Sequence, residues 1–360
     1  MSRVLLRSLV ALVLTAAAVL VGWRVLGPAE VRAPARTPYP AAAAHSPQVT
    51  GRTNGAPLIV DDRLRVYAAK RQVRADGPVD AKSVNTARWS LRRWPAQVSG
   101  VVASGATVVS RWSDGLLIAT DGRTGAELWR AATGLPAPGY DGHRTGAATV
   151  WAPPGLHVAA GSVLVTGGGR LSAYEVASGL RRWTVNVPAG CADGFTTRGG
   201  QYFCATGGYS AVDGAQLAPY PVGPFTPLTC GVALSGCAGM RAADGQGYLT
   251  GGPAPERSAA LNKTVNAVVA VPAGAQLLGV SAERLVVLTA DRHLRLLNSA
   301  GGVLSDFPLA VGRERLTWKP GLWQVTDEWV AIERLTGDGP ADPDAPEHYF
   351  TVDTVIIAAL

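Results

Sequence analysis

The residues with the most definite chemistry in this 360-residue chain are four cysteines, Cys191, Cys204, Cys230 and Cys237. An even number of cysteines behind an apolar N-terminal segment predicts disulfides made in an oxidising compartment. Cys191–Cys204 would staple a hairpin, and Cys230–Cys237 would close the connection to the next unit; other pairings of the four stay open. The rival chemistry is a zinc site, whose ligands recur at short Cys-x-x-Cys or paired-histidine spacings. Neither cysteine spacing is Cys-x-x-Cys, and no histidine lies between His157 and His293, so disulfides are favoured.

The five histidines, His45, His143, His157, His293 and His348, are scattered without metal-ligand spacing. Asp61-Asp62 and Asp80 offer carboxylates to a cation, but aspartate at a strand turn is the ordinary reading. There is no Gly-x-Ser-x-Gly, no phosphate loop and no dinucleotide fingerprint. No catalytic residue and no metal ligand is therefore assigned. Asn262-Lys263-Thr264 matches a glycosylation sequon and is read as a chance match. Arg92-Arg93-Trp94 and Arg181-Arg182-Trp183 mix basic and aromatic residues. Alternating strand faces explain both better than nucleic-acid contact does, so no nucleic-acid partner is expected. The long excursion Gly134–Pro154 holds Tyr140, Asp141, His143, Arg144 and Trp151. Long loops on a rigid scaffold often bind ligands. Tyr140, His143, Arg144 and Trp151, together with Trp112 beside its own turn, form the candidate binding surface; the plain alternative is a solvated loop.

Short strands must position these residues. From Gly105 to Trp129 the chain reads as strand (Thr107–Trp112), turn (Ser113-Asp114-Gly115), strand (Leu116–Thr120), glycine turn (Asp121–Gly125) and a strand reaching Trp129. The phrase recurs. Seven strand–turn–strand units have their turns at Asp61, Ser113, Gly167, Gly207, Gly251, Asp291 and Asp327, a mean spacing of about 44 residues. That period, with four short strands each, is that of propeller blades, which bury both faces only as a ring. The composition, with 43 Gly, 25 Pro and 16% charged residues, suits strands and turns better than helices. The expected fold is all-β, a β-propeller of seven four-stranded blades over residues 55–360. The last strand, Tyr349–Ala358, follows an acidic loop with Asp338, Asp342, Asp344 and Glu347. It is expected to join the blade of Leu58–Ala68, which closes the ring and removes an open edge.

Before the repeats, residues 4–26 read as one transmembrane helix behind a cytoplasmic tip of residues 1–3. Ser8 to Trp23 is uncharged, and Arg7 and Arg24 flank it in position to snorkel. A cleaved signal peptide is the rival, but Pro34 directly after Val31-Arg32-Ala33 disfavours cleavage there. Residues 27–54, with Pro28, Pro34, Pro38, Pro40 and Pro47, read as a Pro/Ala-rich linker. The formal charge of +7 concentrates before Asp76. Next to an apolar segment such basicity fits a membrane surface or wall polymer. The expected location is the cell membrane, single-pass, with the propeller on the extracytoplasmic side. Only four of 33 basic residues are Lys, the usage of a GC-rich genome, which points to an actinobacterial source.

Asp121-Gly122-Arg123-Thr124-Gly125-Ala126-Glu127-Leu128-Trp129 resembles the tryptophan repeat of pyrroloquinoline-quinone-like propellers: an acidic residue, a Thr/Ser-Gly turn and a Trp on the next strand. Glu175-Val176-Ala177-Ser178-Gly179-Leu180-Arg181-Arg182-Trp183 resembles it again, and Val212–Ala215 and Asn298–Gly302 with Phe307 resemble it loosely. Asp121, Gly125, Trp129, Gly179 and Trp183 are thus structural repeat residues. Glycine supplies the turn's positive φ, and Trp wedges between blades. The resemblance implies a superfamily that holds quinone-dependent dehydrogenases, the lipoprotein propeller of outer-membrane assembly and many other extracytoplasmic proteins. The dehydrogenases are much longer and pair adjacent cysteines over their cofactor. This chain has no adjacent cysteines and no dense Asp/Asn/Glu cluster for calcium. The expected function is therefore non-catalytic: a protein-interaction scaffold or binding module at the cell envelope, with an envelope protein partner and no cofactor. One alternative is an oxidoreductase that holds pyrroloquinoline quinone with calcium in a polar funnel. The other is an envelope carbohydrate or ligand sensor with an exposed aromatic cleft at Trp112 or Trp151.

Overall fold

The computed structural model describes residues 2–26, 29–42, 44–80, 87–142, 145–217, 223–228, 230, 234–243, 247–249, 274–281, 284–298, 301–311, 318–335 and 354–360. The chain begins with α1 (Ser2–Leu26), whose side chains from Arg7 to Val21 are all exposed. The transmembrane anchor expected over residues 4–26 is not supported. Among the described residues no helix is long and apolar enough to cross a membrane. The uncharged run between Arg7 and Arg24 is shorter than the roughly 20 residues a span requires.

The stretch expected to be a linker over residues 27–54 instead carries β1 (Ala29–Ala33) and β2 (Gln48–Thr53). Pro34, Pro38, Pro40 and Pro47 fall between these strands, where no ladder N–H is needed. Seven antiparallel sheets follow among the described residues. The first takes β3 (Leu58–Val60), β4 (Leu64–Ala69), β5 (Gln72–Asp76) and β6 (Ala87–Trp94), in the order β1-β6-β5-β4-β3. The second takes β7 (Val98–Ser104), β8 (Thr107–Trp112), β9 (Leu116–Asp121) and β10 (Glu127–Ala132). After the short α2 (Ala147–Trp151), the third takes β11 (Leu156–Ala159), β12 (Ser162–Gly167), β13 (Arg170–Glu175) and β14 (Arg181–Asn186). The fourth holds β15 (Gly194–Thr196), β16 (Gln201–Cys204) and β17 (Gly207–Ser210). The fifth holds β18 (Thr226–Leu228), β19 (Gly239–Arg241) and β20 (Gly247–Leu249). The sixth takes β21 (Gln276–Ser281), β22 (Arg284–Leu288), β23 (His293–Leu297) and β24 (Val303–Pro308). The seventh takes β25 (Lys319–Val325), β26 (Trp329–Leu335) and β27 (Thr354–Ala359), in the order β2-β27-β26-β25.

Six of the seven predicted units lie in six different sheets; the second half of the fifth, Ser258–Leu261, lies outside the described residues. Strand number is not uniformly four. The first sheet gains β1, and the fourth and fifth have three strands among the described residues. Closure does use both ends of the chain, but with a different partner from the one expected. β27 pairs with β26 and with β2, in register Val49↔Ala358 and Thr53↔Val355, and not with the sheet of Leu58–Ala69. Gln48–Thr53, in the proline-rich stretch, supplies the closing strand, and β4 already has β3 and β5 on its two sides.

The innermost strands stand around an axis. β3 packs on β7, β7 on β11, β11 on β15 and β21 on β25. β25 meets β3 through the buried Gln324, which accepts from Ile59 N at 2.8 Å and donates to Ile59 O at 2.9 Å. The fourth and fifth sheets join at the Thr197–Cys237 bridge and the Phe203–Phe225 ring contact. This radial order of small antiparallel sheets is that of a β-propeller. Tryptophans on outer strands tie the first sheet to the second, the second to the third and the third to the fourth. Trp89 donates to Gly122 O at 2.8 Å, Trp129 to Val176 O at 2.7 Å and Trp183 to Ala211 O at 3.3 Å. Each ring lies over the glycine of the neighbouring turn, Gly125, Gly179 or Gly214, all at positive φ. No side chain fits between ring and turn, so these positions require glycine twice over.

Candidate functional site

The excursion between β10 and β11 is folded inward. α2 packs against β4, β7 and β25, strands of three different sheets, with Ala147, Thr149, Val150 and Trp151 buried. It therefore lies on the axial side of the seventh, first and second sheets. Trp151 Nε1 donates to Pro57 O at 2.9 Å and to Gln324 Oε1 at 3.2 Å. Thr145 donates through Oγ1 to Glu333 Oε1 at 2.6 Å and accepts at its carbonyl from Ala56 N at 2.8 Å. Glu333 Oε2 accepts from Leu322 N at 3.2 Å. Thr149 donates to Asp141 O at 2.9 Å, and the Tyr140 hydroxyl to Ala68 O at 3.3 Å. These polar groups find their partners mostly on the surrounding sheets, as burial demands.

Arg111 of β8 holds the excursion at both ends. Its guanidinium donates to Pro136 O at 2.6 Å, Gly155 O at 3.0 Å and Thr166 O at 3.0 Å. Its pKa is pulled down to about 10 by burial, the nearby Tyr174 hydroxyl acting the other way. The charge is met by carbonyl dipoles rather than by a carboxylate. Only a planar fork of donors reaches carbonyls on three segments at once.

At the other end of the strands, Asp61 and Asp62 form the β3–β4 turn, both with φ of 53°. Asp62 accepts from the Thr326 hydroxyl, and Trp329 Nε1 donates to Asp62 O at 3.2 Å. Burial pushes the Asp62 carboxyl up; the Thr326 bond opposes this, and the Glu328 and Asp327 charges add to it. Asp61 accepts from the Tyr39 hydroxyl at 2.9 Å, and the Arg63 guanidinium lies 5.6 Å from that ring's centre. Burial, then the Asp61 bond, raise the Tyr39 phenol. Arg88 donates to Thr37 O at 2.9 Å, and His45 packs on Trp329 at 4.6 Å. The described residues between β1 and β2 thus run as a packed strap from the first sheet to the neighbouring seventh. The Asp61-Asp62 carboxylates serve this turn, and among the described residues no group of three or more His, Cys, Asp or Glu is placed to hold a metal.

Trp112 and Trp151 do not line an exposed cleft. Trp112 is 0% and Trp151 3% exposed, and Tyr140 is half-buried. Strand alternation turns Trp112 into the core, where its Nε1 donates to Ser110 Oγ at 2.9 Å. His143, Arg144, His348 and Asn262–Thr264 lie outside the described residues. Asp80 is half-buried, and His157 is buried beside the Tyr202 ring. The cysteines are joined as Cys191–Cys204 and Cys230–Cys237. The first staples the fourth sheet. The second holds Cys237 against Thr196, whose carbonyl accepts from Cys237 N at 2.9 Å. Asp121 closes its turn by accepting from Arg123 N at 2.9 Å and from the Thr124 hydroxyl at 2.8 Å. Sequence reasoning missed Arg111, Gln324, Glu333, Tyr39 and Trp89. Arg111 carried a signal: a cation inside the apolar run Val108–Trp112 needs buried acceptors.

Residues 113–218, from the second to the fourth sheet, match the family model described as outer membrane protein assembly factor BamB. That stretch carries PQQ-like β-propeller repeats. Among solved structures, the chain is similar to BamB from Moraxella catarrhalis, with 16% identity, 85% of each chain covered and a TM-score of 0.42. It is also similar to the β-propeller domain of Myceliophteria thermophila Cps50 (Swd1), with 10% identity, 88% of this chain and 100% of that one covered and a TM-score of 0.45. The computationally designed Ika8 protein matches with 14% identity over 88% of this chain and 85% of that one, with a TM-score of 0.43. With TM-scores this low, the likenesses add nothing to the sheet order itself. None of the curated proteins matches the chain.

Proposed function

We propose that this chain is a non-catalytic, seven-bladed propeller that works as a protein-interaction scaffold in an extracytoplasmic compartment of the cell envelope. The observation that carries the reading is the filled axis. α2 and Trp151, tied to Pro57 and Gln324, pack against strands of the seventh, first and second sheets, with β7 and β25 at the axis. The working surface is then the rims and outer strands, which suit macromolecular partners better than a small cofactor. The match of residues 113–218 to an outer membrane assembly factor family supports a protein partner. The two disulfides support an oxidising compartment.

Titration of the full chain with pyrroloquinoline quinone and calcium, followed by absorbance and calorimetry, tests the reading. No saturable binding is expected; stoichiometric binding would overturn the non-catalytic assignment. For location, a C-terminal β-lactamase fusion should confer resistance in cells, and a sensitive strain carrying stable fusion protein would count against the compartment.

A further inference from the structure

The outer part of the first sheet presents an unbalanced positive face. Directly paired residues share a sheet face. Val31 pairs with Arg92, and Arg92 with Gln72. Trp94, two residues along β6, lies on the same face. Arg92 Nη2 reaches Gln72 Oε1 at 3.4 Å, so both side chains point the same way. Arg71, in the β4–β5 turn, lies over the Trp94 ring with its guanidinium carbon 3.5 Å from the ring centre. Arg74 lies 5.3 Å over Tyr67. Lys70, Arg92 and Trp94 are exposed, and Val31 is 63% exposed. Arg74 pairs with the buried Asp76 at 3.6 Å. Among the described residues no carboxylate lies within ion-pair distance of Lys70, Arg71 or Arg92.

The opposite face of the same strands is balanced. Arg32 pairs with Glu127 at 2.7 Å, Arg93 with Asp114 at 2.8 Å and Arg130 with Glu30 at 3.0 Å. The unpaired cations are therefore confined to one side. Stacking on an aromatic ring fixes a guanidinium plane while leaving its N–H edge open to an oxyanion. Beside them, β1 ends the sheet, and among the described residues no strand covers its outer edge.

We propose that this face docks a carboxylate-rich, extended segment of a partner protein, laid alongside β1. A peptide is favoured over an anionic lipid or polymer because the open edge of β1 offers main-chain N–H and C=O groups, which an added strand satisfies. Every second residue of such a strand falls on the cationic face. Acidic residues there meet Arg92 and Arg71, their methylene stems packing on Val31 and Trp94. The proposal rests on the scaffold reading and specifies its partner's chemistry.

The test uses the full chain and a fluorescein-labelled peptide of alternating Glu and Val, followed by anisotropy at low and high salt. Binding should saturate and weaken as salt rises. Arg71→Glu with Arg92→Glu should cut affinity at least about tenfold. Arg181→Glu, on the exposed β14 edge of another sheet, should leave it unchanged. Unaltered melting temperatures for both variants establish that they fold. Absence of wild-type binding, or equal loss in the Arg181 variant, would overturn the proposal. So would charge-dependent binding to anionic phospholipid vesicles without any to the peptide. A blank peptide titration beside a blank quinone titration removes this docking face and leaves the scaffold. Saturable quinone binding removes the scaffold reading itself.

Discussion

Replacing Gly179 by alanine should destabilise the fold far more than replacing Gly161, although both lie in the third sheet's turns at φ of 73° and 70°. The left-handed backbone costs a non-glycine residue about 1–2 kcal/mol, and this applies to both. At Gly161 an added Cβ meets nothing within 4 Å. At Gly179 it would stand 2.5 Å from Cδ2 and Cε3 of Trp129, a ring that is 8% exposed. The ring must move, at about 1–3 kcal/mol for overpacking. Its Nε1 bond to Val176 O, 2.7 Å long, is lost or lengthened, at about 1 kcal/mol. Gly179→Ala should therefore be less stable than Gly161→Ala by about 2–4 kcal/mol. That corresponds to a Tm lower by roughly 4–8 °C. Thermal melts by circular dichroism read the difference directly. If both variants melt within about a degree of each other, the tryptophan–glycine tie between sheets does not carry the load assigned to it.

Arg111→Lys should lower stability by about 2–4 kcal/mol in urea unfolding, because one ammonium cannot serve Pro136, Gly155 and Thr166 together and leaves buried carbonyls unmet. Asp62→Asn should raise the Tm at neutral pH and leave it unchanged near pH 3. A carboxyl whose pKa is raised in the fold favours the protonated state, so its contribution is present in acid and lost as pH rises through the folded value. The asparagine keeps the turn conformation and removes the charge beside Asp327 and Glu328. Removing Cys191 and Cys204 together should cost about 3 kcal/mol in the chain-entropy account, for a sequence separation of 13. Non-reducing peptide mapping should recover the two disulfides as Cys191–Cys204 and Cys230–Cys237.

The sheets were legible in the sequence because short β-branched runs between glycine turns repeat at a steady spacing. Thr107–Trp112 and Leu116–Thr120 are strands within a residue of their expected bounds. The N-terminal strands were not legible. Ala29–Ala33 and Gln48–Thr53 lie among prolines and carry polar residues, because edge strands bury little. The same stretch hid the strap, in which Thr37 and Tyr39 meet Arg88 and Asp61 across sequence separations that no local pattern encodes. That the excursion 134–154 is longer than a turn needs is legible in the sequence. Its direction was not legible, since Trp151 reads the same in an exposed cleft as against Gln324. Nor was the positive face, because Arg71 and Trp94 meet only once β4, β5 and β6 are aligned.

The account depends most on the plug at the axis. Hydrogen exchange of the peptide spanning residues 145–152 in the full chain tests it directly. The amides of Thr149 and Ala152, bonded at 3.1 and 3.2 Å to Gly146 O and Ala148 O in a buried helix, should exchange orders of magnitude more slowly than an exposed loop. Exchange of this peptide within seconds, as fast as a solvated turn, would mean that the axis is open and would return the funnel to consideration as a ligand site.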